Sequence, residues 1–333
     1  MRRFVRAHPI LSYYLLALAL CSSAVVAQMI YSDAWLHRTG QKFKYNEQLW
    51  ALLTQFGHGR MYANLVSLAW CAAHMPIYLG VFVFGGAPTI SAVIINAIGW
   101  GRAGVFKLFG RLKPWASKDF RGDAFIVYAG LFALMFGMTL MHVVVLYIYK
   151  GPAETAAAAS VWGLSPWLLV VPFLVGGLID EGATPEELGW RGFALPIMLD
   201  KIKTPLVAAL FLGFLWWLWH FPREAPDILA GSTVWPSFML NQLVFMGLVI
   251  AMTVTMTFCF HRTGSALPAI LIHGWGNFAS KALGIYDIIH TDDRTWMFFI
   301  VAILLVLFTG VNLGRARYLE NRAKMGVVSE LPV

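Results

Sequence analysis

Residues 124–149 read AFIVYAGLFALMFGMTLMHVVVLYIY, a run of 26 amino acids without Asp, Glu, Lys or Arg. An α-helix of about 20 apolar residues is long enough to cross the hydrocarbon core of a bilayer. Seven further runs lack the same four residue types and reach a comparable length. They are 7–32, 61–101, 155–179, 204–222, 228–261, 263–280 and 295–314. The chain is therefore predicted to be an all-α, polytopic membrane helix bundle with about eight transmembrane helices.

The run 61–101 is longer than one transmembrane helix requires. A span near 62–86 leaves a remainder, Ala87–Gly101, which contains Pro88 and two glycines. This remainder is short for a span, and proline and glycine weaken a regular helix. We expect it to form a short re-entrant or interfacial helix.

The overall composition agrees with a membrane protein. Hydrophobic residues make up 59% of the 333 amino acids and charged residues 13%, whereas soluble domains carry about 25% charged residues. This balance excludes a soluble enzyme and a disordered chain, and it argues against a nucleic-acid partner despite the net charge of +8. The cysteines at 21, 71 and 259 are isolated from one another, which argues against a disulfide framework.

Basic residues are distributed unevenly between the two predicted sides. If the N-terminus is cytoplasmic and 87–101 does not cross the membrane, the inside segments carry 16 basic and 5 acidic residues, and the outside loops carry 8 of each. Cytoplasmic loops are enriched in Lys and Arg, so both termini are expected to be cytoplasmic, in a bacterial inner membrane. A cleaved signal peptide over Met1–Ala27 is the alternative interpretation of the first run.

We divide the chain into three parts along this topology. The N-terminal helices and a basic cytoplasmic loop occupy 1–121, a transmembrane core occupies 122–314, and a basic cytoplasmic tail occupies 315–333.

Ionisable residues interrupt the apolar core at one place in particular. Residues 180–196 read DEGATPEELGWRGFALP, and a charged group inside a membrane needs a structural or functional reason. Thr184 can cap a helix whose first turn contains Pro185, and Arg191 lies four residues after Glu187, within reach of an ion pair. An exposed helix start with a solvated ion pair is the structural alternative.

Two further polar pairs lie on the following apolar segments. Trp216 and His220 are four residues apart, as are His273 and Asn277, so each pair shares one helix face. A structural hydrogen bond to a neighbouring helix would explain each residue separately. Together with the two glutamates, these groups can supply peptide hydrolysis: a carboxylate with an imidazole can take a proton from water, and an imidazole with an amide can stabilise an oxyanion.

These three segments resemble the CPBP family of intramembrane proteases, which includes type II CAAX prenyl endopeptidases and bacteriocin-processing or immunity proteins. The family patterns are EExxxR, FxxxH and HxxxN or HxxxD. The segment Glu186–Arg191 matches the first, His220 the second with Trp216 in place of phenylalanine, and His273 with Asn277 the third. The resemblance covers about 165–282 and implies a buried polar catalytic cavity.

The resemblance also implies roles for individual residues. Glu186 would be the general base that activates water, with help from His220, while His273 and Asn277 would form the oxyanion hole. Glu187, Arg191 and Trp216 would support this arrangement. A metal-free reaction is favoured; if a metal is bound, zinc held by Glu186, His220 and His273 is the alternative.

The predicted function is hydrolysis of a peptide bond in a membrane-associated or prenylated, CAAX-type protein or peptide. The alternatives are a non-catalytic scaffold or immunity protein of the same fold and a proton-coupled transporter. The predicted partners are a peptide or lipidated protein substrate and the lipid bilayer; the oligomeric state is left open.

One geometric conflict accompanies this prediction. A single span over 165–199 would place Glu186 near the inner face and His220 near the outer face, about 25 Å apart. An interfacial piece within 155–200 that places Glu186 deeper would remove the conflict, and so would a short, tilted helix that carries His220.

Overall fold

The computed structural model describes residues 1–55, 64–153, 177–202 and 204–282, together with Leu304 and Thr309. Within these ranges the chain is helical, and Asn64 and Asp180 form an isolated antiparallel bridge. Most of the predicted runs 155–179 and 295–314, and the predicted tail, lie outside the described residues.

The helices are numbered in chain order. They are α1 (Arg2–Ala7), α2 (Pro9–Thr39), α3 (Tyr45–Gln55), α4 (Leu65–His74), α5 (Leu79–Phe109), α6 (Arg121–Lys150), α7 (Ala183–Glu187), α8 (Leu195–Ile202), α9 (Pro205–His220), α10 (Ala225–Leu229), α11 (Trp235–Thr263) and α12 (Leu267–Ala282). Between α7 and α8, residues Leu188–Ala194 form a π-helical turn.

Five helical stretches in the described part of the chain are long and apolar enough to cross a membrane. They are Pro9–Thr39, Pro76–Leu112, Lys118–Gly137, Pro205–Leu229 and Trp235–Thr263. The prediction of an all-α, polytopic membrane bundle is confirmed, and the chain is an integral membrane protein.

The predicted division of the run 61–101 is wrong. The helix break lies at Met75, before Pro76, and α5 continues from Leu79 through Pro88 to Phe109. The residues 87–101 are therefore not a separate short helix. Packing of α5 against α2 and the π-helical turn holds the helix on both sides of Pro88, although a proline removes one backbone hydrogen bond. The kink lies at Gly101, whose φ is 69°.

The segment with the EExxxR pattern packs against the middle of α5 through glycine. A Cβ atom at Gly189 would overlap the backbone of Pro88, and a Cβ at Gly85 would lie 2.9 Å from the carbonyl oxygen of Glu181. The Gly189 N–H also donates a hydrogen bond to Thr89 Oγ1 at 3.1 Å. The two backbones approach this closely because neither glycine has a side chain.

Two large indoles fill the space around this contact. The side chains of Trp190 and Trp219 are fully buried, and their rings meet edge to face with centroids 5.9 Å apart. On the opposite side, Gly213 of α9 lies against Ile250 of α11, where an added Cβ would come within 2.9 Å of the Ile250 Cα. The helices α5, α9 and α11 thus surround the π-helical turn.

We expect Gly189→Ala to destabilise the protein, because the added methyl group would meet the backbone of Pro88, which cannot move away as a flexible side chain can. Thermal unfolding of the purified protein in detergent should show a lower transition temperature. Gly130→Ala is the matched control: nothing lies within 4 Å of its Cβ position, and alanine favours a helix over glycine. Equal transition temperatures for the two variants would contradict the close backbone contact.

Candidate active site

The helix that carries Glu186 and Glu187 begins at a turn held by Asp180. The Oδ1 atom of Asp180 accepts hydrogen bonds from the N–H groups of Gly182 at 2.9 Å and Ala183 at 2.6 Å. The predicted cap, Thr184, is wrong: its hydroxyl donates to the Leu178 carbonyl oxygen at 2.5 Å instead. The carboxylate therefore satisfies N–H groups at the start of the helix and complements its dipole.

This turn also resolves the predicted distance between Glu186 and His220. The chain turns at Asp180–Gly182, so 165–199 is not one uninterrupted span, and α7 starts beside the middle of α5. The Oε2 atom of Glu186 accepts a hydrogen bond of 2.9 Å from the indole nitrogen of Trp216, one helical turn from His220. The expected separation of about 25 Å for a single span is therefore wrong, and Glu186 lies at the level of α9's last turns.

The second glutamate of the motif lies in a buried ion pair. Arg191 Nη1 is 2.8 Å from Glu187 Oε2 and 2.9 Å from Glu187 Oε1, and both side chains are 0% exposed. His273 Nδ1 lies 2.9 Å from the same Oε1 atom. The ion pair expected from the four-residue spacing is present, and it is buried and extended to α12 rather than solvated.

Arg191 makes two further contacts that connect it with neighbouring helices. Its Nη2 atom donates a hydrogen bond of 2.7 Å to Thr253 Oγ1 of α11. Its guanidinium carbon lies 4.2 Å from the centre of the Trp216 ring, a cation–π distance. Nothing in the sequence marks Thr253 as a site residue, because a threonine in an apolar helix commonly donates a hydrogen bond to its own helix backbone. Thr253 also makes that bond here, to the Val249 carbonyl oxygen at 2.8 Å.

Trp216 lies at the centre of the polar cluster. Its ring contacts the imidazoles of His273 and His220, with centroids 5.0 Å and 5.9 Å away. It also donates to Glu186 and stacks with Arg191. The predicted ring packing beside His220 is confirmed, and the hydrogen bond adds a contact that a phenylalanine could not make.

His220 is oriented by its own helix. Its Nδ1 atom lies 2.8 Å from the Trp216 carbonyl oxygen, which can only accept, so Nδ1 carries the hydrogen. The ring is also enclosed by Trp219 and Phe245, with centroids 4.8 Å and 5.1 Å away. In the neutral imidazole, Nε2 is then the nitrogen with a free lone pair.

Asn277 and Glu186 border one small space beside Gly182. A Cβ atom added to Gly182 would lie 3.3 Å from Glu186 Oε1 and 3.4 Å from both Asn277 Nδ2 and Asp180 Oδ1. Asn277 Nδ2 also donates to Asp180 Oδ1 at 3.0 Å. A carboxylate oxygen and an amide nitrogen from different helices therefore face the same point.

Contacts in the structure connect all the residues that were predicted to form the site. The set comprises Glu186, Glu187, Arg191, Trp216, His220, His273 and Asn277. Sequence analysis assigned no role to Asp180, although a buried carboxylate in a membrane segment was the signal available for it.

The same contacts test the zinc alternative. Within the described ranges, no three His, Cys, Asp or Glu side chains are arranged so that they could hold a metal ion. Of the proposed ligands, Glu186 uses Oε2 for the Trp216 indole, and His273 turns Nδ1 towards Glu187. These contacts leave Glu186 Oε1 and the Nε2 atoms of His220 and His273 as donors, but the described side chains are not grouped so that three of them could hold one ion.

Replacing Arg191 by leucine should destabilise the protein strongly, by about 3 kcal/mol, because it leaves the Glu187 carboxylate buried without its cationic partner. Thermal unfolding in detergent measures the change. Lys44→Met removes a cation from an exposed pair with Glu47 and serves as the control, with a transition temperature close to that of the wild type. Similar behaviour of both variants would show that the Glu187–Arg191 pair is accessible to water.

Comparison with known proteins agrees with this arrangement. Residues 162–279 match the model of a family described as Rce1-like, type II CAAX prenyl endopeptidase. The chain is similar to the CAAX prenyl protease 2 of Methanococcus maripaludis, with 26% identity over 188 residues that cover 54% of this chain and 64% of that protein. The chain thus matches somewhat less than two thirds of this curated relative. The family resemblance seen in the three motifs is confirmed, since the matched residues 162–279 include all three of them.

Proposed function

We propose that this protein is a membrane-embedded endopeptidase. The observation that carries the proposal is the placement of Glu186 Oε1 and Asn277 Nδ2 around one space beside Gly182, with His220 and His273 packed on the Trp216 ring next to it. A base and an oxyanion donor must both reach the atoms of one scissile peptide bond, and the short distance of both groups from the same point supports the proposal.

Glu186 is the proposed general base. The Trp216 indole holds Oε2, so Oε1 faces the space beside Gly182. A water molecule there loses a proton to Glu186 while its oxygen bonds to the peptide carbonyl carbon. The carbonyl π electrons move to oxygen, and the proton on Glu186 then passes to the departing nitrogen as the C–N bond breaks. The Nε2 lone pair of His220 can orient the water or relay its proton.

Asn277 and His273 are the proposed donors to the oxyanion. The Asn277 amide nitrogen donates to Asp180 and lies 3.4 Å from the Cβ position of Gly182, on the side of Glu186 Oε1, where we propose that it contacts the carbonyl oxygen. His273 donates through Nδ1 to Glu187, and in the imidazolium form its Nε2 carries a second hydrogen that can serve the oxyanion. Donors already held in place need little reorganisation when negative charge develops.

Glu187 and Arg191 position these groups without reaching the substrate in our proposal. Glu187 orients His273 through the bond of 2.9 Å, and Arg191 connects the motif to α11 through Thr253 at 2.7 Å. Their buried charges compensate each other, so neither contributes a net charge beside Glu186.

We propose a prenylated CAAX-type protein or peptide as the substrate, because the matching family is described as a CAAX prenyl endopeptidase and the relative from Methanococcus maripaludis as a CAAX prenyl protease. Such a substrate reaches the site from the bilayer, which is therefore the second partner. We further propose a bacterial inner membrane with both termini cytoplasmic, from the distribution of basic residues. A scaffold of the same fold or a transporter would bind or move a ligand without cleaving a peptide bond.

Purified protein in detergent or nanodiscs should cleave a prenylated CAAX peptide faster than its unprenylated counterpart. Glu186→Gln and His220→Ala should each reduce cleavage by about 100- to 10,000-fold while the protein remains folded, because each removes a group proposed to move the proton. Product formation is followed by mass spectrometry, which also locates the cleaved bond.

Glu47→Gln and His37→Ala provide the matched controls, since both side chains are largely exposed and distant in sequence from the three motifs. These controls should retain wild-type rates. Full activity in Glu186→Gln would refute the assigned base, and a folded wild type that cleaves no peptide would favour the scaffold or transporter.

We also propose that hydrolysis here proceeds without a bound metal, since the described residues bring no three His, Cys, Asp or Glu side chains into an arrangement that could hold an ion. Metal analysis of the purified protein should find no stoichiometric zinc, and prolonged treatment with a chelator should leave the rate unchanged. A stoichiometric ion whose removal stops cleavage, and whose return restores it, would establish the zinc alternative.

A further inference from the structure

Arg223 is a cation at the edge of the candidate site, outside the three motifs. It follows His220 by three residues, where the chain leaves α9 through the short segment Phe221–Glu224. The Arg223 side chain is 43% exposed, whereas His220 is 9% exposed. Arg223 therefore lies at the border between the buried polar cluster and its surroundings, where an arriving ligand can reach it.

Two contacts hold the Arg223 guanidinium in one orientation. Its carbon lies 4.6 Å from the centre of the Phe245 ring, a cation–π distance, and its Nε atom donates a hydrogen bond of 2.7 Å to Glu224 Oε1. Among the described residues this is the one hydrogen bond that Arg223 makes. The bond uses the Nε edge, so the terminal nitrogens Nη1 and Nη2 form a second pair of donors in the guanidinium plane.

Two parallel N–H donors match the two oxygens of a carboxylate. A CAAX-type tail has its prenylated cysteine fourth from the C-terminus and ends in a free carboxylate. In a tail of apolar residues, that carboxylate is the only charged group. Cleavage after the cysteine releases a tripeptide, whose three residues span at most about 11 Å when fully extended.

The Phe245 ring connects Arg223 with His220 over a distance that such a tail can cover. The ring centre lies 5.1 Å from the centre of the His220 ring and 4.6 Å from the Arg223 guanidinium carbon. The guanidinium carbon is thus no more than about 10 Å from the His220 ring centre, which is within the span of three extended residues. A peptide bond beside His220 and a carboxylate at Arg223 can therefore belong to one tail.

We propose that Arg223 binds the C-terminal carboxylate of the substrate through Nη1 and Nη2 and thereby fixes the tail relative to the scissile bond. Phe245 and Glu224 hold the guanidinium in place for this contact. Arg223 is then a specificity-determining residue, which favours a chain that ends close to the scissile bond over an internal segment of a longer chain. The inference rests on the proposed function, because the carboxylate belongs to the proposed substrate.

Two prenylated peptides of one sequence, ending in a free carboxylate or in a carboxamide, test this contact. The wild type should cleave the carboxylate peptide with a kcat/KM about 10- to 100-fold higher, because the amide loses the charge-assisted pair. Arg223→Gln should cleave both peptides with nearly equal kcat/KM, close to the wild-type value for the carboxamide. Arg223→Lys keeps the charge without the paired donors and should retain only part of the preference.

Two outcomes of this comparison would overturn the proposal. One is a wild type that cleaves the two peptides with equal kcat/KM. The other is an Arg223→Gln variant in which both rates fall by the same factor and the preference for the carboxylate persists. In that case Arg223 would act through the Phe245 ring beside His220 and not on the substrate.

Arg38→Gln is the matched control. Arg38 is also exposed, and its guanidinium carbon lies 5.1 Å from the centre of an aromatic ring, that of Trp35. This variant should keep the wild-type preference for the carboxylate peptide. A loss of preference equal to that in Arg223→Gln would mean that removal of any exposed cation produces the effect, and it would overturn the specific contact.

Peptide binding to Glu186→Gln separates this inference from the proposed function. Fluorescent forms of both peptides are titrated against Glu186→Gln, with and without Arg223→Gln, in nanodiscs of zwitterionic phosphatidylcholine. The carboxylate peptide should bind about tenfold or more tightly than the carboxamide to Glu186→Gln, and equally to the double variant. Equal affinities for Glu186→Gln would overturn the carboxylate contact. The expected preference in binding, together with a wild type that cleaves no peptide, would refute the proposed function and leave the contact supported.

Discussion

The buried ion pair between Glu187 and Arg191 is the constraint on which the arrangement of the site depends. Both side chains are 0% exposed, and removal of two charges from water costs several kcal/mol for each ion unless close partners compensate. The compensation comes from three other helices: His273 of α12, Thr253 of α11 and the Trp216 ring of α9. These helices must converge on the π-helical turn for the charges to be buried at all, and the same convergence brings Glu186 beside Trp216.

The backbone next to this ion pair also has an unusual conformation, the π-helical turn Leu188–Ala194. A π-helical turn is rare, because its hydrogen bonds span one residue more than those of an α-helix, and it occurs frequently at functional sites. Here it contains Trp190, whose buried ring packs against Tyr13 of α2 at 5.4 Å, and Gly189, which contacts the Pro88 backbone. The contacts on both flanks hold the turn in place, so that Glu187 and Arg191 remain on one face.

Contacts between residues of one helix could be predicted from their spacing in the sequence. Contacts between residues far apart in the sequence could not. The pairs Glu187–Arg191 and Trp216–His220 follow from four-residue spacing, and apolar runs located α6 and α9 within a few residues. The Asp180–Asn277 bond joins residues 97 positions apart, so no local pattern could indicate it. The wrong cap at Thr184 has a local cause, because its hydroxyl donates to the Leu178 carbonyl oxygen six residues earlier. The wrong break near Ala87 has a tertiary cause, because Gly189 packs against the backbone of Pro88.

The Trp216 indole limits the conformational freedom of the Glu186 side chain. An unrestrained glutamate side chain samples several rotamers, and restricting it costs about 1.5–2 kcal/mol of conformational entropy. The hydrogen bond from Trp216 to Glu186 Oε2 imposes part of that restriction when the chain folds rather than when a ligand arrives. A phenylalanine here would leave the carboxylate to be ordered anew at each binding event. Binding of a ligand therefore does not have to restrict this side chain again, because the loss of conformational entropy has already occurred when the protein folds in the bilayer.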